Sequence, residues 1–222
     1  MMLTELTPIP EEALPHEAFK AHLRLGTGFE ETGLQQEVLA HFLRAAIAAI
    51  EARTGKVLLA RDYDLELAAW TGIWPDASGQ SFSPARSQSV SLPLAPVQQI
   101  DSMTLIFADG SSELIAADRY QLIPDNQQPR LSGRNGALPT IPAGASMRLR
   151  LRAGLADSWA AMPADLAQAV LMLAAHYYEY RDDMRLQGGC MPFGVSSLIE
   201  RYRSLRLSLG RGAGAPVHRG EL

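Results

Sequence analysis

The sequence predicts an α+β protein: a helical bundle of two N-terminal and two C-terminal helices, interrupted by an inserted small antiparallel β domain and followed by a flexible C-terminal tail. Three observations carry this. Apolar residues repeat at helical spacing over residues 1–56 and again over 154–209, which is how an amphipathic helix reads. Between them, over residues 57–153, the period drops to two and turn residues gather, as in half-buried strands joined by hairpins. Residues 210–222 hold four glycines, two arginines and no core-forming pattern, so they form no part of a packed core. With 222 residues, 47% hydrophobic and 20% charged, the chain has the material for one real core and an insertion.

In the N-terminal part a short helix spans residues 16–25, a break follows at 26–33, and Thr32 is placed to cap a long second helix. That helix carries Leu34, Val38, Phe42, Ala45 and Ala49 as one stripe, with Leu39, Leu43, Ile47 and Ile50 beside it. Gly55 stops it, because a glycine accepts the left-handed conformation of a helix C-terminus. Its many alanines leave a small-residue surface that lets another helix come close.

In the insertion, Tyr63, Leu65 and Leu67 alternate with Asp62, Asp64 and Glu66. A Gly/Ser/Pro-rich loop covers 71–89. Runs at 103–107 and 113–116 flank Asp109-Gly110, a strong hairpin signal. Further strands are expected at 120–123 and 147–151. In the last, Met147, Leu149 and Leu151 alternate with Arg148, Arg150 and Arg152, which puts three guanidinium groups on one face, there for solvent, an interface or nucleic acid.

The C-terminal part opens with Pro163 at the first helical position and Asp165 in the first turn. Leu166, Val170, Leu173 and Tyr177 then repeat at helical spacing, with Leu171, Ala174 and Tyr178 alongside. Gly188-Gly189 breaks the chain. Met191-Pro192 restarts it, and Val195, Leu198, Tyr202 and Leu205 make a second amphipathic helix.

Composition excludes several classes. Net charge is −4, so the chain as a whole does not wrap nucleic acid. Cys190 is its one cysteine, which rules out an intramolecular disulfide framework. The longest apolar run, 167–175, is far short of the roughly 20 residues that cross a bilayer, so no membrane association is expected. Residues 1–15 hold three glutamates and no basic residue, unlike a secretory signal. Basic residues are almost all arginine, Lys20 and Lys56 excepted. This fits a GC-rich coding sequence, or guanidinium groups suited to desolvated interfaces.

Motifs for chemistry fail. His16-Glu17 needs a histidine at position 20 to make a zinc-protease helix, and that position is Lys20. His176 and Glu179 lie one turn apart without a second pair to complete a metal site. Cys190 lacks an activating neighbourhood. Gly26-x-Gly28 runs into Glu30 and Glu31, which repel phosphate, and Gly210-x-Gly212-x-Gly214 follows no strand. No catalytic, cofactor or metal residue is therefore expected.

A larger pattern remains. His176, Tyr178, Glu179 and Arg181, followed after the glycine break by Pro192-Phe193-Gly194 and then Tyr202, resemble the head–tail connector, or adaptor, family of long-tailed bacteriophages, most of all its alphaproteobacterial gene transfer agent members. Phe19-Lys20-Ala21-His22-Leu23-Arg24 is similar to that family's opening helix. Thr54-Gly55-Lys56 resembles the Thr-Gly-Arg ending of its second helix, and the proline-flanked Leu92-to-Val97 run with its following strand also agrees. The resemblance spans residues 14–206. The insertion and the tail beyond 209 are longer than in minimal connectors.

The resemblance implies a structural subunit of a ring, a dodecamer matching the portal, set between the portal and the stopper or tail protein of a phage-like particle and assembled in the bacterial cytoplasm. DNA would pass through its bore without sequence-specific binding. It also implies that the C-terminal segment docks on the portal, a role that falls on Arg201, Arg203, Arg206, Arg211 and Arg219. From Arg201 onward there are five arginines and one glutamate, and a cationic segment orders best against a complementary surface. The alternative is a ligand- or nucleic-acid-binding accessory protein, or a small enzyme, using the β insertion.

Overall fold

The computed structural model describes residues 1–24, 33–70, 89–181 and 191–203. Thr32, the loop at 71–88, Gly188 to Cys190 and the tail at 210–222 lie outside them. The fold is mixed α+β, as expected, with helices α1 (His16–His22), α2 (Gly33–Thr54), α3 (Ala164–Glu179) and α4 (Phe193–Ile199). The strands are β1 (Met2–Glu5), β2 (Arg61–Leu67), β3 (Ser89–Ser91), β4 (Val97–Ile106), β5 (Ser112–Ile115), β6 (Tyr120–Ile123), β7 (Arg130–Gly133) and β8 (Ser146–Ala153). They form a five-stranded sheet in the order β1-β2-β8-β4-β5 and a three-stranded sheet in the order β3-β7-β6. Every strand pair is antiparallel.

Two apolar cores result. Phe19 of α1, Leu39, Leu43, Ile47 and Ile50 of α2, Leu166, Val170 and Leu173 of α3, and Val195 and Ile199 of α4 are buried together. The other core gathers Tyr63, Leu65 and Leu67 of β2 with Met103, Leu131, Met147, Leu149 and Leu151. The boundary between them falls between Val57, which belongs to the sheets, and Leu58, which belongs to the helices. There residues 57–60 and 153–156 run side by side. Leu155 N–H donates to the Val57 carbonyl at 2.9 Å, Ala156 N–H to Leu58 at 3.1 Å and Ala60 N–H to Ala156 at 2.8 Å.

Several expectations hold in detail. Strand β2 alternates buried and half-buried along its length. Gly55 ends α2 at φ 68°, its N–H reaching the Glu51 carbonyl at 2.8 Å. Gly110 takes φ 84° in the β4–β5 hairpin, where Asp109 accepts from the Ser111 N–H and hydroxyl.

Others need correction. Pro163 is the cap of α3 and not its first helical residue, since its ψ of 134° is extended and Ala164 begins the helix. The second C-terminal helix stops at Ile199 and tightens into a 3-10 turn, Glu200–Tyr202, before Arg203 turns extended. The first helix ends at His22, with Arg24 at φ 56°. Strand β3 begins at Ser89, inside the expected loop, and β4 reaches back to Val97. The N-terminal residues, expected to precede a helix, supply strand β1 to the sheet. The β structure thus recruits a strand from outside residues 57–153.

Candidate functional site

The C-terminal helix pair carries the family-like residues, and the fold splits them between its two ends. Helix α4 packs along α3, with Val195 and Ile199 in the shared core. At the start of α4, Gly194 allows the close approach: a Cβ there would lie 2.9 Å from Met172 Cε. Pro192 caps this helix. Phe193 beside it is 88% exposed, an apolar ring left to solvent by its own subunit.

Near the end of α3, Tyr178 meets Phe42 of α2 edge to face at 5.8 Å, and the Arg181 guanidinium sits 5.1 Å from the Tyr178 ring. His176 lies 4.8 Å from the Tyr180 ring. Glu179 is exposed. Tyr178 thus ties α3 to α2, while His176 and Arg181 stack on neighbours at the end of their own helix.

At the opposite end, Asp165 in the first turn of α3 receives the Tyr202 hydroxyl at 2.8 Å and the Arg201 Nε at 2.8 Å. Arg201 also donates to the Tyr202 hydroxyl and stacks 4.7 Å from its ring centre. This clasp joins residues 36 and 37 positions apart, and the helix N-terminus favours the carboxylate at its centre. Arg203 pairs with Glu200 at 3.0 Å. Of the five arginines expected to meet a portal, Arg201 and Arg203 are therefore matched by carboxylates of their own chain. Arg206, Arg211 and Arg219 lie outside the described residues.

The three-arginine strand is also matched. Arg152 stands across from Asp62, Arg150 from Asp64 and Arg148 from Glu66 in the β2–β8 register, with charge contacts at 3.4, 3.1 and 3.3 Å. The Ser146 hydroxyl, and after it Arg148, hold the Glu66 carboxyl below its ordinary range. The face expected to carry three guanidinium groups carries them as a ladder of acid–base pairs, because the same alternation that turns the arginines of β8 to this face turns the acids of β2 to it. Exposed pairs of this kind contribute little. Arg150→Gln is expected to leave the thermal midpoint unchanged within error, and a clear drop in a melting curve would contradict this.

One buried charge cluster was not foreseen. Arg61, 7% exposed, grips Glu51 of α2 through two contacts at 2.6 and 2.7 Å, and Glu5 of β1 at 3.0 Å. Glu51 also accepts the Leu58 N–H at 2.8 Å. Burial pushes the Glu51 carboxyl above its usual range against the pull of Arg61, and burial likewise raises the Tyr63 phenol. The signal was present in the pattern, since position 61 falls on the same face of β2 as Tyr63, Leu65 and Leu67. Beside this cluster lies a cavity of about 500 Å³ lined by Pro8, Ile9, Leu59, Arg61, Arg152 and Asp157 among others. Arg152 is held there by Asp62 and Asp157, so the polar lining is paired within the wall. Among the described residues no group of three or more His, Cys, Asp or Glu side chains could hold a metal ion, and no helix is long and apolar enough to cross a membrane.

The helical core, the ladder of acid–base pairs on the sheet and the ion pairs between elements are contacts that hold the subunit together, and the comparisons with known proteins give its class. No family model and no curated protein matches the chain. Among solved structures it is similar to a chain in the neck of an empty gene transfer agent particle computed with C6 symmetry, at 44% identity and TM-score 0.78, covering 95% of this chain and 100% of that one. It is likewise similar to a chain of the virion of a native gene transfer agent particle, at 44% identity and TM-score 0.75 over the same shares. A third match is a chain in the neck of a native particle computed with C12 symmetry, at 41% identity, TM-score 0.72 and the same coverage. The chain belongs to the head–tail connector family found in the necks of gene transfer agent particles.

Proposed function

We propose that this chain is the adaptor of such a neck: one subunit of a dodecameric ring between the portal and the stopper or tail protein, with a bore through which DNA passes and no catalytic role. The observation that carries the reading is the match over 95% of the chain at 44% identity to a neck chain. Computation of related necks with C6 and C12 symmetry supports a ring. The neutral sheet face agrees with a bore or flank that does not hold DNA tightly, since sequence-independent affinity for DNA comes from unpaired Lys and Arg. In this reading the helices within residues 1–56 and 154–209 form the bundle and residues 57–153 the insertion, with 210–222, outside the described residues, as the tail. The two separate cores support that division, with β1 as a strand lent by the first segment.

The test is to mix purified subunit with portal and image the mixture by negative stain. Added ring density on the portal is expected, and its absence would refute the adaptor role. Portal docking is assigned to the C-terminal arginines. Because Arg201 and Arg203 are already paired, Arg206, Arg211 and Arg219 should carry most of it. Deleting residues 210–222 should leave stability within about 0.5 kcal/mol, as for changes remote from a core, yet weaken binding to the portal and reduce its salt dependence. Unchanged occupancy of purified heads by the truncated chain would move the anchor elsewhere, with exposed Phe193 the next place to look.

A further inference from the structure

Among the described residues the five-stranded sheet ends in two open edges, and its registers bring them level. Met2 stands opposite Glu66, Glu66 opposite Arg148, Arg148 opposite Thr104 and Thr104 opposite Leu114. One row therefore crosses the polar face from edge to edge. Its interior is charged or hydroxyl-bearing, yet it begins and ends on apolar side chains left in solvent, Met2 at 60% and Leu114 at 69% exposed.

The backbone at both edges is equally open. Bonded pairs alternate along an antiparallel ladder. Leu6 N–H donates to the Asp62 carbonyl at 2.8 Å, so Thr4 and Met2 also bond inward to β2, and Met1, Leu3 and Glu5 direct their N–H and C=O groups outward. Phe107 N–H donates to the Ser111 carbonyl at 2.9 Å, so Glu113 and Ile115 bond inward to β4, and Ser112, Leu114 and Ala116 face out. No strand among the described residues covers either edge. Four successive antiparallel pairings leave β1 and β5 running in the same direction.

A ring relates neighbours by rotation alone, about 30° in a twelve-fold one, and its contacts join two different surfaces of the same chain. Strand direction and level are then nearly kept from copy to copy. Resting on the ring reading above, we infer that β5 of each subunit pairs in parallel with β1 of the next, so that the sheets join into one continuous belt around the neck. Leu114 of one copy covers Met2 of its neighbour. Leu114 N–H donates to the neighbour's Met1 carbonyl, and the neighbour's Leu3 N–H donates to the Leu114 carbonyl, as the parallel pattern requires. The parity fits, because these are the groups that face outward. Closure also removes both edges, which otherwise invite pairing without limit.

Cysteines test the register. In adjacent strands Cα atoms lie about 4.8 Å apart, within the roughly 4.4–6.8 Å that a disulfide spans. Particles would be assembled with a neck chain carrying Met2→Cys, Leu114→Cys and Cys190→Ser, oxidised and run on a non-reducing denaturing gel. A ladder of covalent multimers that reductant collapses is expected. A Glu5→Cys, Ser112→Cys pair, several residues out of level, should stay monomeric. In parallel, Leu3→Pro removes an outward N–H and leaves the ladder to β2 intact. It should abolish incorporation into necks while preserving the thermal midpoint of the free subunit. Monomers from the first variant in particles whose necks show full ring density, or normal incorporation of Leu3→Pro, would overturn the belt and leave the ring standing. Unsubstituted particles without ring density at the neck would instead overturn the ring reading.

Discussion

Arg61→Met should destabilise the subunit by about 3–5 kcal/mol, the cost of stripping one partner from a buried ion pair. At 222 residues this lowers the melting midpoint by on the order of 10 °C. Arg61 is 7% exposed and its guanidinium neutralises Glu51, whose side chain is 16% exposed, while reaching Glu5 at the sheet edge. Methionine fills much of the same space and supplies no donor. Glu51 would keep only the Leu58 N–H, at 2.8 Å. The loss is therefore mainly that of an uncompensated charge.

The double variant Arg61→Met, Glu51→Gln should recover most of the stability, because a neutral amide no longer needs the counter-ion. The sign of the pH dependence follows from the raised Glu51 pKa. A carboxyl that binds its proton more tightly folded than unfolded favours the fold below its unfolded value, and that advantage is lost as pH rises through the folded one. Removing Arg61 withdraws the main opposing influence, so the deficit of the single variant should be largest at neutral pH and shrink towards the ordinary glutamate range. Equal losses in the single and double variants would show that shape and not charge is at stake. Because Arg61 links β1, β2 and α2, the same variant should also loosen the strand that the belt requires.

Much of the architecture was legible because it rests on periodicity. The alternation from Asp62 to Leu67, the stripe from Leu39 to Ile50 and the Asp109-Gly110 turn each report a local rule that tertiary structure did not override, whereas in the stripe beside it, read as equally apolar, Val38 and Ala45 are exposed. Strands β1, β3 and β7 were not legible. Each has three or four residues and is held by the strand it pairs with. The Arg61–Glu51 and Arg201–Asp165 clasps join positions 10 and 36 residues apart, and nothing local announces such a pair. The arginine ladder shows the opposite failure. Arg148, Arg150 and Arg152 were visible, and so were Asp62, Asp64 and Glu66, but only the register between β2 and β8 turns two charged faces into one neutral one. The neck resemblance was readable because it depended on the order of several weak motifs. The docking surfaces stay the least legible part, since an interface is written half in another chain.

Gly154→Ala should cost about 3 kcal/mol, at the upper end for forced overpacking, although the substitution adds a single methyl group. Gly154 follows β8 where residues 153–156 cross residues 57–60, at the joint between the helical and sheet cores. A Cβ there would collide with Ala60 Cα and lie 2.5 Å from Ala60 N and 2.8 Å from Leu59 C. These are backbone atoms, so no side chain can swing aside. Relief requires the two segments to part, and they are bonded on both flanks. Gly154 N–H donates to the Pro96 carbonyl at 3.0 Å, and its own carbonyl accepts from Gln98 Nε2 at 3.1 Å. Separation would strain Ala60 N–H to Ala156 at 2.8 Å and expose Leu59 and Ala156, which belong to the helical core. Gly110→Ala is the control. Its Cβ would meet nothing within 4 Å, and only the φ of 84° resists it, for roughly 1 kcal/mol. Denaturant titration of the two variants should separate them by about 2 kcal/mol, with Gly154→Ala the weaker. Equal midpoints would mean that the joint yields freely, and that the helical and sheet parts of the subunit are coupled through the Arg61 clasp and not through this crossing.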